Sequence, residues 1–203
     1  MIITKIEPVK LRYYPQKPLR DGLARIPSRD VFLLKIETDE EIYGIGEGFA
    51  LGCLDSVAAY TLECLAPLLI GSNPLEITRL WNRIYQQTFR FGTRGIGIAA
   101  LSAVDIALWD ILGKKAGLPV CSLLGKAHDC IYPYASAGYY APGKTIEDLR
   151  KEAAGYKAQG FRMMKMKRSR AKTWRESQQL EKFLERMLSL LLMQIIHGIM
   201  RQL

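Results

Sequence analysis

Histidine and cysteine, from which most tight metal sites are built, are scarce: two histidines and four cysteines stand among 203 residues. Cys53, Cys64, Cys121 and Cys130 form no CxxC pair, which excludes a zinc ribbon and a thioredoxin-like redox motif. They read as reduced, mostly buried thiols of a cytoplasmic protein. No secretory leader is visible, because MIITKIEPVKLRYY alternates like a strand. Before residue 168 no stretch reaches the roughly 18 apolar residues of a membrane span, and the later run 187–200 is shorter and carries Gln194 and His197. The expectation is a protein without a membrane partner. Gly44, Gly46 and Gly48 lack both the spacing and the following helix of a dinucleotide fingerprint, so they are expected to serve a tight strand end.

Charge is present in both signs, with 29 Lys and Arg against 20 Asp and Glu, a formal +9. Residues 1–167 hold 22 basic and 17 acidic side chains and residues 168–203 hold 7 and 3, so nearly half of the excess lies in the last stretch. Neither zinc-ligand spacing, an aromatic RNA-binding strand nor a helix-turn-helix accompanies it. No nucleic-acid partner is expected.

Residues 2–14, 31–37 and 42–47 alternate as strands, with a long loop rich in proline and polar residues between the first two. An antiparallel three-stranded sheet is the simplest arrangement. Helical periodicity then governs 56–70, 74–89 and 95–113, giving an α+β domain over 1–127. From residue 128 the pattern changes to strand (131–136), helix (145–159, opened by Thr145 with Asp148 three residues on) and strand (161–167). A strand, helix and parallel strand begin an α/β barrel, here incomplete at 128–167. Residues 168–203 form a basic, aliphatic tail unlike the helix and strand that should come next.

Lys165 and Lys167 lie two apart on the last of these strands, so both leave one face. In a barrel that face is the packed interior or the catalytic mouth, and two ammonium groups are costly there unless they sit near the open end. The alternative is an edge strand with solvated lysines. Paired lysines suit proton abstraction, because each disfavours the other's charged form and leaves a neutral amine available as a base. Met163, Met164 and Met166 are expected to pack the strand, and His128 to be structural.

The most specific stretch is Ala100-x-Ser102-Ala103-Val104-Asp105-x-Ala107-Leu108-x-Asp110-Ile111-x-Gly113-Lys114, followed by Pro119-Val120-x-x-Leu123-Leu124-Gly125. Its small and apolar residues recur at i, i+3 and i+4, the mark of a helix that a second helix could approach closely. Asp105 and Asp110 are expected to cap it and pair with Lys114 or Lys115, and Gly113 to Gly117 to unwind it. This order of residues resembles the signature of the enolase superfamily, in its mandelate racemase and muconate-lactonising branch. The resemblance covers about residues 1–167. It implies an N-terminal capping domain followed by a (β/α) barrel, and an enzyme, lyase or isomerase, that abstracts the proton alpha to a carboxylate. An acid-sugar dehydratase is the first expectation, with racemase, epimerase and cycloisomerase as alternatives.

Carried over, the resemblance makes Lys167 the base and Lys165 the neighbour that steadies the substrate carboxylate. It places Leu19, Arg20, Arg25 and Ile26 of the long loop, with Phe49 and Leu54, around the substrate pocket. It implies a small-molecule carboxylate as substrate, a homo-oligomeric complete protein, and Mg²⁺ held by carboxylates on the third, fourth and fifth barrel strands. No Asp-x-Asn follows Arg168, so this chain is expected to bind no metal tightly and, as a truncated form, to be inactive. The codons of residues 192–200 permit another reading frame spelling Asp-Ala-Asn-Asn-Ser-Trp-Asp-Tyr, which resembles the family's third-strand metal motif; a frameshifted tail is one expectation. The competing expectation is a non-catalytic α+β module whose basic tail binds a partner.

Overall fold

The computed structural model describes residues 1–16, 18–20, 25–139 and 141–166; Lys167 and the tail 168–203 lie outside the described residues. Along the chain the strands are β1 (Ile3–Tyr13), β2 (Leu19–Arg20), β3 (Arg25–Ile26), β4 (Arg29–Thr38), β5 (Tyr43–Gly48), β6 (Tyr134–Ser136) and β7 (Met163–Lys165). The helices are α1 (Leu54–Tyr60), α2 (Ala66–Leu69), α3 (Ile77–Thr88), α4 (Ile96–Ala116), α5 (Val120–Leu123) and α6 (Ile146–Ala158), with a π-helical turn, Thr61–Leu65, between α1 and α2. The chain divides into two units, one of Met1–Tyr14 with Ser28–Ala127, the other of Pro15–Pro27 with the chain from His128 onward.

In the first unit β1, β4 and β5 form an antiparallel sheet in that order. Phe32, Leu34 and Ile36 alternate along β4 with no exposed surface, while Lys35 and Glu37 face outward, Glu37 pairing with both Lys35 and Lys5. One face thus meets the core and the other meets water. Thr38 closes the β4–β5 turn by donating its hydroxyl to the Ile42 carbonyl at 2.7 Å.

The helices cover the inner face. α3 buries Ile77, Leu80, Ile84 and Thr88, the expected helical stripe. The single helix expected over 56–70 is interrupted by the π-helical turn, because Pro67 has no N–H to offer the turn above it. α4 does not unwind at Gly113. It runs to Ala116 and ends at Gly117, whose φ of 65° lets the Leu118 N–H reach back to the Gly113 carbonyl at 3.0 Å.

The partner of α4's small-residue face is a strand. A Cβ on Gly44 would lie 2.0 Å from the Ala107 carbonyl oxygen, one on Gly46 1.9 Å from that of Ala103, and one on Gly48 2.7 Å from that of Ala99. Two residues of strand advance about 6.7 Å and four of helix about 6.0 Å, so every second residue of β5 meets every fourth of α4. The three glycines therefore admit a helix backbone, which corrects their reading as a strand end. α4 is also long and apolar enough to cross a membrane by length and composition, which corrects the expectation for residues before 168; more than half of its most apolar window is buried inside the protein, as in a core helix.

The thiols are less buried than expected. Cys53 and Cys64 are half-buried and Cys121 and Cys130 exposed, because the last two lie on the short α5 and the connection after it.

In the second unit the long loop contains a small ladder, β2 with β3, pairing Leu19 with Ile26 and Arg20 with Arg25. β6 and β7 are parallel, pairing Tyr134, Ala135 and Ser136 with Met163, Met164 and Lys165. α6 lies between them in sequence and opens on the expected capping box: Thr145 accepts the Asp148 N–H at 3.2 Å and Asp148 accepts the Thr145 N–H at 2.8 Å. The whole is an N-terminal α+β capping domain followed by part of a barrel.

Two glycine substitutions test this packing. Gly46→Ala is expected to lower stability in urea unfolding, followed by circular dichroism, by about 1–3 kcal/mol or more, the cost of overpacking. Gly155→Ala, on α6 with nothing within 4 Å, is expected to raise helix stability by about 0.5–1 kcal/mol. Equal behaviour of the two would contradict the close approach of β5 and α4.

Candidate active site

Alternation on the parallel pair sorts its side chains into two sets. Ala135 and Met164 are buried in a cluster with Ala137 and with Ala153 of α6. Tyr134, Ser136, Met163 and Lys165 occupy the opposite face. Lys165 is half-buried there, its Nζ 5.3 Å from the centre of the Tyr134 ring. Lys167 lies outside the described residues. Met163 and Met166 are partly buried and Met164 fully, the expected strand packing.

The connection from β6 to α6 is fixed by a polar clamp. The Ala137 N–H donates to the Lys165 carbonyl at 2.9 Å. One residue on, the Gly138 N–H donates to Glu152 Oε1 at 3.3 Å, and Lys144 Nζ reaches Glu152 Oε2 at 2.5 Å and the Tyr139 carbonyl at 3.0 Å. A cleft of about 580 Å³ opens beside this clamp, lined by Gln16, Pro18, Lys144 and Asp148 among others. It lies at the carboxyl end of β6, where barrel enzymes carry their chemistry. A smaller cleft of about 320 Å³, with Tyr132 and Arg162 in its wall, lies at the opposite end of the strands. Lys144 and Glu152 carry no motif in the sequence; their one signal is a carboxylate, Glu152, beside the apolar stripe of Ile146, Leu149, Ala153 and Tyr156.

The residues expected around the pocket fall in both units. Leu19 and Ile26 face each other across the small ladder, half-buried and buried, and Arg20 and Arg25 pair beside them with exposed side chains. Phe49, 72% exposed, follows β5 directly. Leu54 is 4% exposed and belongs to the core of the first unit, together with Ala50.

Asp30, which no motif marks in the sequence, accepts four hydrogen bonds. Its side chain has 0% exposure. Oδ1 accepts from Arg12 Nε at 2.8 Å and Ser28 Oγ at 3.0 Å, and Oδ2 from Arg12 Nη2 at 2.9 Å and the Gly52 N–H at 3.3 Å. The Arg12 guanidinium, aided by Ser28 and Gly52, holds the Asp30 carboxyl below the usual carboxylate range against the opposing effect of burial.

Of the two aspartates expected to cap the signature helix and pair with its lysines, neither caps it, since its N-cap is Gly95, and Asp110 alone forms such a pair. Asp110 pairs with Lys114 at 2.7 Å, as expected, and accepts the Ile45 N–H at 2.9 Å. Lys115 pairs with Glu40 at 2.5 Å instead of an aspartate of its own helix. Asp105 is half-buried, and that burial raises its carboxyl above the usual range. His128 is exposed. Among the described residues no three His, Cys, Asp or Glu side chains converge to hold a metal ion.

Residues 7–125 match the family described as the mandelate racemase / muconate lactonizing enzyme, N-terminal domain. The arabinonate dehydratase of Saccharolobus solfataricus is 41% identical over 171 residues, which cover 82% of this chain and 46% of that protein. A D-mannonate dehydratase of Sphingomonas sp. is 41% identical over 142 residues, 69% of this chain and 34% of that protein. A crystal structure of an enolase-superfamily member from Polaromonas sp. JS666 superposes with a TM-score of 0.80 at 28% identity, covering 95% of this chain and 51% of that one. The chain thus spans less than half the length of these curated relatives, and on the matched signature, the capping-domain sheet and the parallel strand pair it belongs to the mandelate racemase / muconate lactonizing enzyme family of the enolase superfamily.

Proposed function

We propose that this chain carries the proton-abstracting part of an acid-sugar dehydratase site. The observation that carries the reading is the position of Lys165 on the face of β7 turned away from α6, next to the carboxyl end of β6. Identity of 41% to an arabinonate dehydratase over 171 residues supports the substrate class, a polyhydroxy carboxylate.

In this reading the substrate carboxylate meets Lys165, and the amine of Lys167 takes the proton from the adjacent carbon. The electron pair of that C–H bond forms the enediolate, hydroxide leaves the next carbon and departs as water with a proton, and the resulting enol becomes a 2-keto-3-deoxy acid. Lys165 suits the first role because an ammonium within about 6 Å of an aromatic face is attracted to it as a cation, and its Nζ stands 5.3 Å from the Tyr134 ring. In the same reading Leu19, Arg20, Arg25 and Ile26 of the long loop, and separately Phe49, contact substrate, and Leu54 anchors the Phe49 loop in the core of the first unit. The family's Mg²⁺ would stabilise the enediolate, but its carboxylate ligands are not assembled among the described residues. Among the described residues Lys165 suits the carboxylate-binding role, and no set of carboxylates fits the metal.

The test is a chimera of residues 1–167 joined to the matching C-terminal remainder of the arabinonate dehydratase. Deuterium wash-in alpha to the carboxylate of arabinonate and formation of the keto acid are expected. Lys167→Ala should lower exchange by about 10²–10⁴, the usual contribution of a general base; unchanged exchange removes Lys167 from that role. Wash-in without keto acid would favour a racemase, and neither would favour the non-catalytic module.

A second expectation concerns the metal. Calorimetric titration of Mg²⁺ into the chain by itself should show only weak, non-stoichiometric heats, and a tight one-to-one site would overturn that expectation.

A further inference from the structure

We propose that Asp30 is a positioning residue that ties, through one carboxylate, the end of β1, the start of β4 and the β5–α1 connection, and so the roots of 15–27 and of 49–54, two segments each proposed to bind substrate. The substrate role of those segments rests on the function proposed above; their anchoring rests on the geometry alone.

The four donors to Asp30 come from three separate places. Arg12 lies at the end of β1, two residues before the first unit gives way to Pro15–Pro27, and Ser28 is the first residue after that segment. Gly52 lies in the connection from β5 to α1. Arg12 and Asp30 are direct cross-strand partners, so the guanidinium fork meets the carboxylate without a detour of either strand. Each oxygen receives two donors, which saturates the carboxylate. Gly52 has φ of 78°, the left-handed conformation that turns its N–H toward Oδ2, and nothing within 4 Å of a would-be Cβ. Its glycine therefore serves the turn and the bond to Asp30 rather than close packing. A single side chain with no exposed surface thus ties the exit of one segment, its return and the middle of the other.

The geometry sets what each substitution does. Asp30→Asn keeps the size but turns one acceptor into a donor, facing Arg12 and Ser28 or Arg12 and Gly52. Arg12→Lys keeps the charge and loses the fork. Asp55, an exposed carboxylate paired with Lys10 at 2.6 Å, gives a control in the same unit.

The experiment is segment-resolved hydrogen exchange by mass spectrometry on the full chain without substrate, with the amide spectrum of Gly52 as a second readout. Asp30→Asn is expected to speed exchange at least tenfold in 15–27 and 49–54, and less than twofold in the β4–β5 ladder, and to move the Gly52 amide resonance. Arg12→Lys should speed the same segments by less, and Asp55→Asn should change neither readout. Acceleration spread evenly over β1, β4 and β5 would make Asp30 an ordinary stabilising residue and overturn the proposal. So would unchanged exchange in Arg12→Lys, the variant that decides the matter if Asp30→Asn does not fold. Because no turnover is measured, this result and that of the chimera stand or fall separately.

Discussion

The contact on which the first unit depends is backbone against backbone, the carbonyls of Ala99, Ala103 and Ala107 laid on Gly48, Gly46 and Gly44. With no side chain between them, strand and helix cannot slide past one another without a carbonyl meeting a Cα. That register decides which side chains of α4 reach the free edge of β5. Asp110 accepts the Ile45 N–H at 2.9 Å and Lys114 donates to the Tyr43 carbonyl at 2.7 Å, so two helix residues one turn apart occupy the groups that another strand would use. Lys114 also stands 4.4 Å from the centre of the Tyr43 ring. The signature that identifies the family is thus largely a description of one strand–helix contact and the closure of one sheet edge.

The same contact determines where the chain is free to carry chemistry. β5 is held to α4 as far as Gly48, and the chain is released at Phe49. Charges on the outer sheet face, such as Lys5 with Glu7 and Lys35 with Glu37, are substantially solvated, and pairs of that kind add little to stability. Asp30 differs from them in having no exposed surface and four donors. Its loss would leave the Arg12 guanidinium, itself about one-third exposed, and the Gly52 N–H without their shared acceptor at the roots of the loops.

Legibility in the sequence depended on the range of the interaction. Alternation in β4, periodicity in α3 and α4 and the Thr145 capping box were readable because each is decided within one element. The partner of α4's small face was not, since a ridge of alanines at spacing four fits a helix or a glycine strand equally well. The π-helical turn required weighing Pro67 against an otherwise continuous helical pattern. Asp30 was invisible for a different reason: an aspartate at a strand end reads as solvated, and its donors stand 18, 2 and 22 residues away. At the candidate site the face of Lys165 came from period two, whereas the Lys144–Glu152 clamp spans a loop and a helix, and only its Glu152 half showed, as a carboxylate beside the apolar stripe of α6.

The parallel pair shows how a few residues can present a lysine on one face of two strands. Its buried face is made of small and flexible side chains, Ala135, Ala137, Ala153 and Met164, so α6 lies close to the strands and the opposite face is left to the polar and aromatic residues. Parallel strands have no hairpin to fix their register, so the residues just past each strand must fix it. Here the Ala137 N–H bonds the Lys165 carbonyl while the Gly138 N–H, the next in the chain, turns to Glu152 on α6. Gly138 can turn because its φ is 67°, and Met166 stands where a Cβ would need room, 3.1 Å away. Strand register, helix position and the loop beside the larger cleft are therefore coupled through two successive amides, and the height of Lys165 along the strand is set by the same bonds that shape the loop.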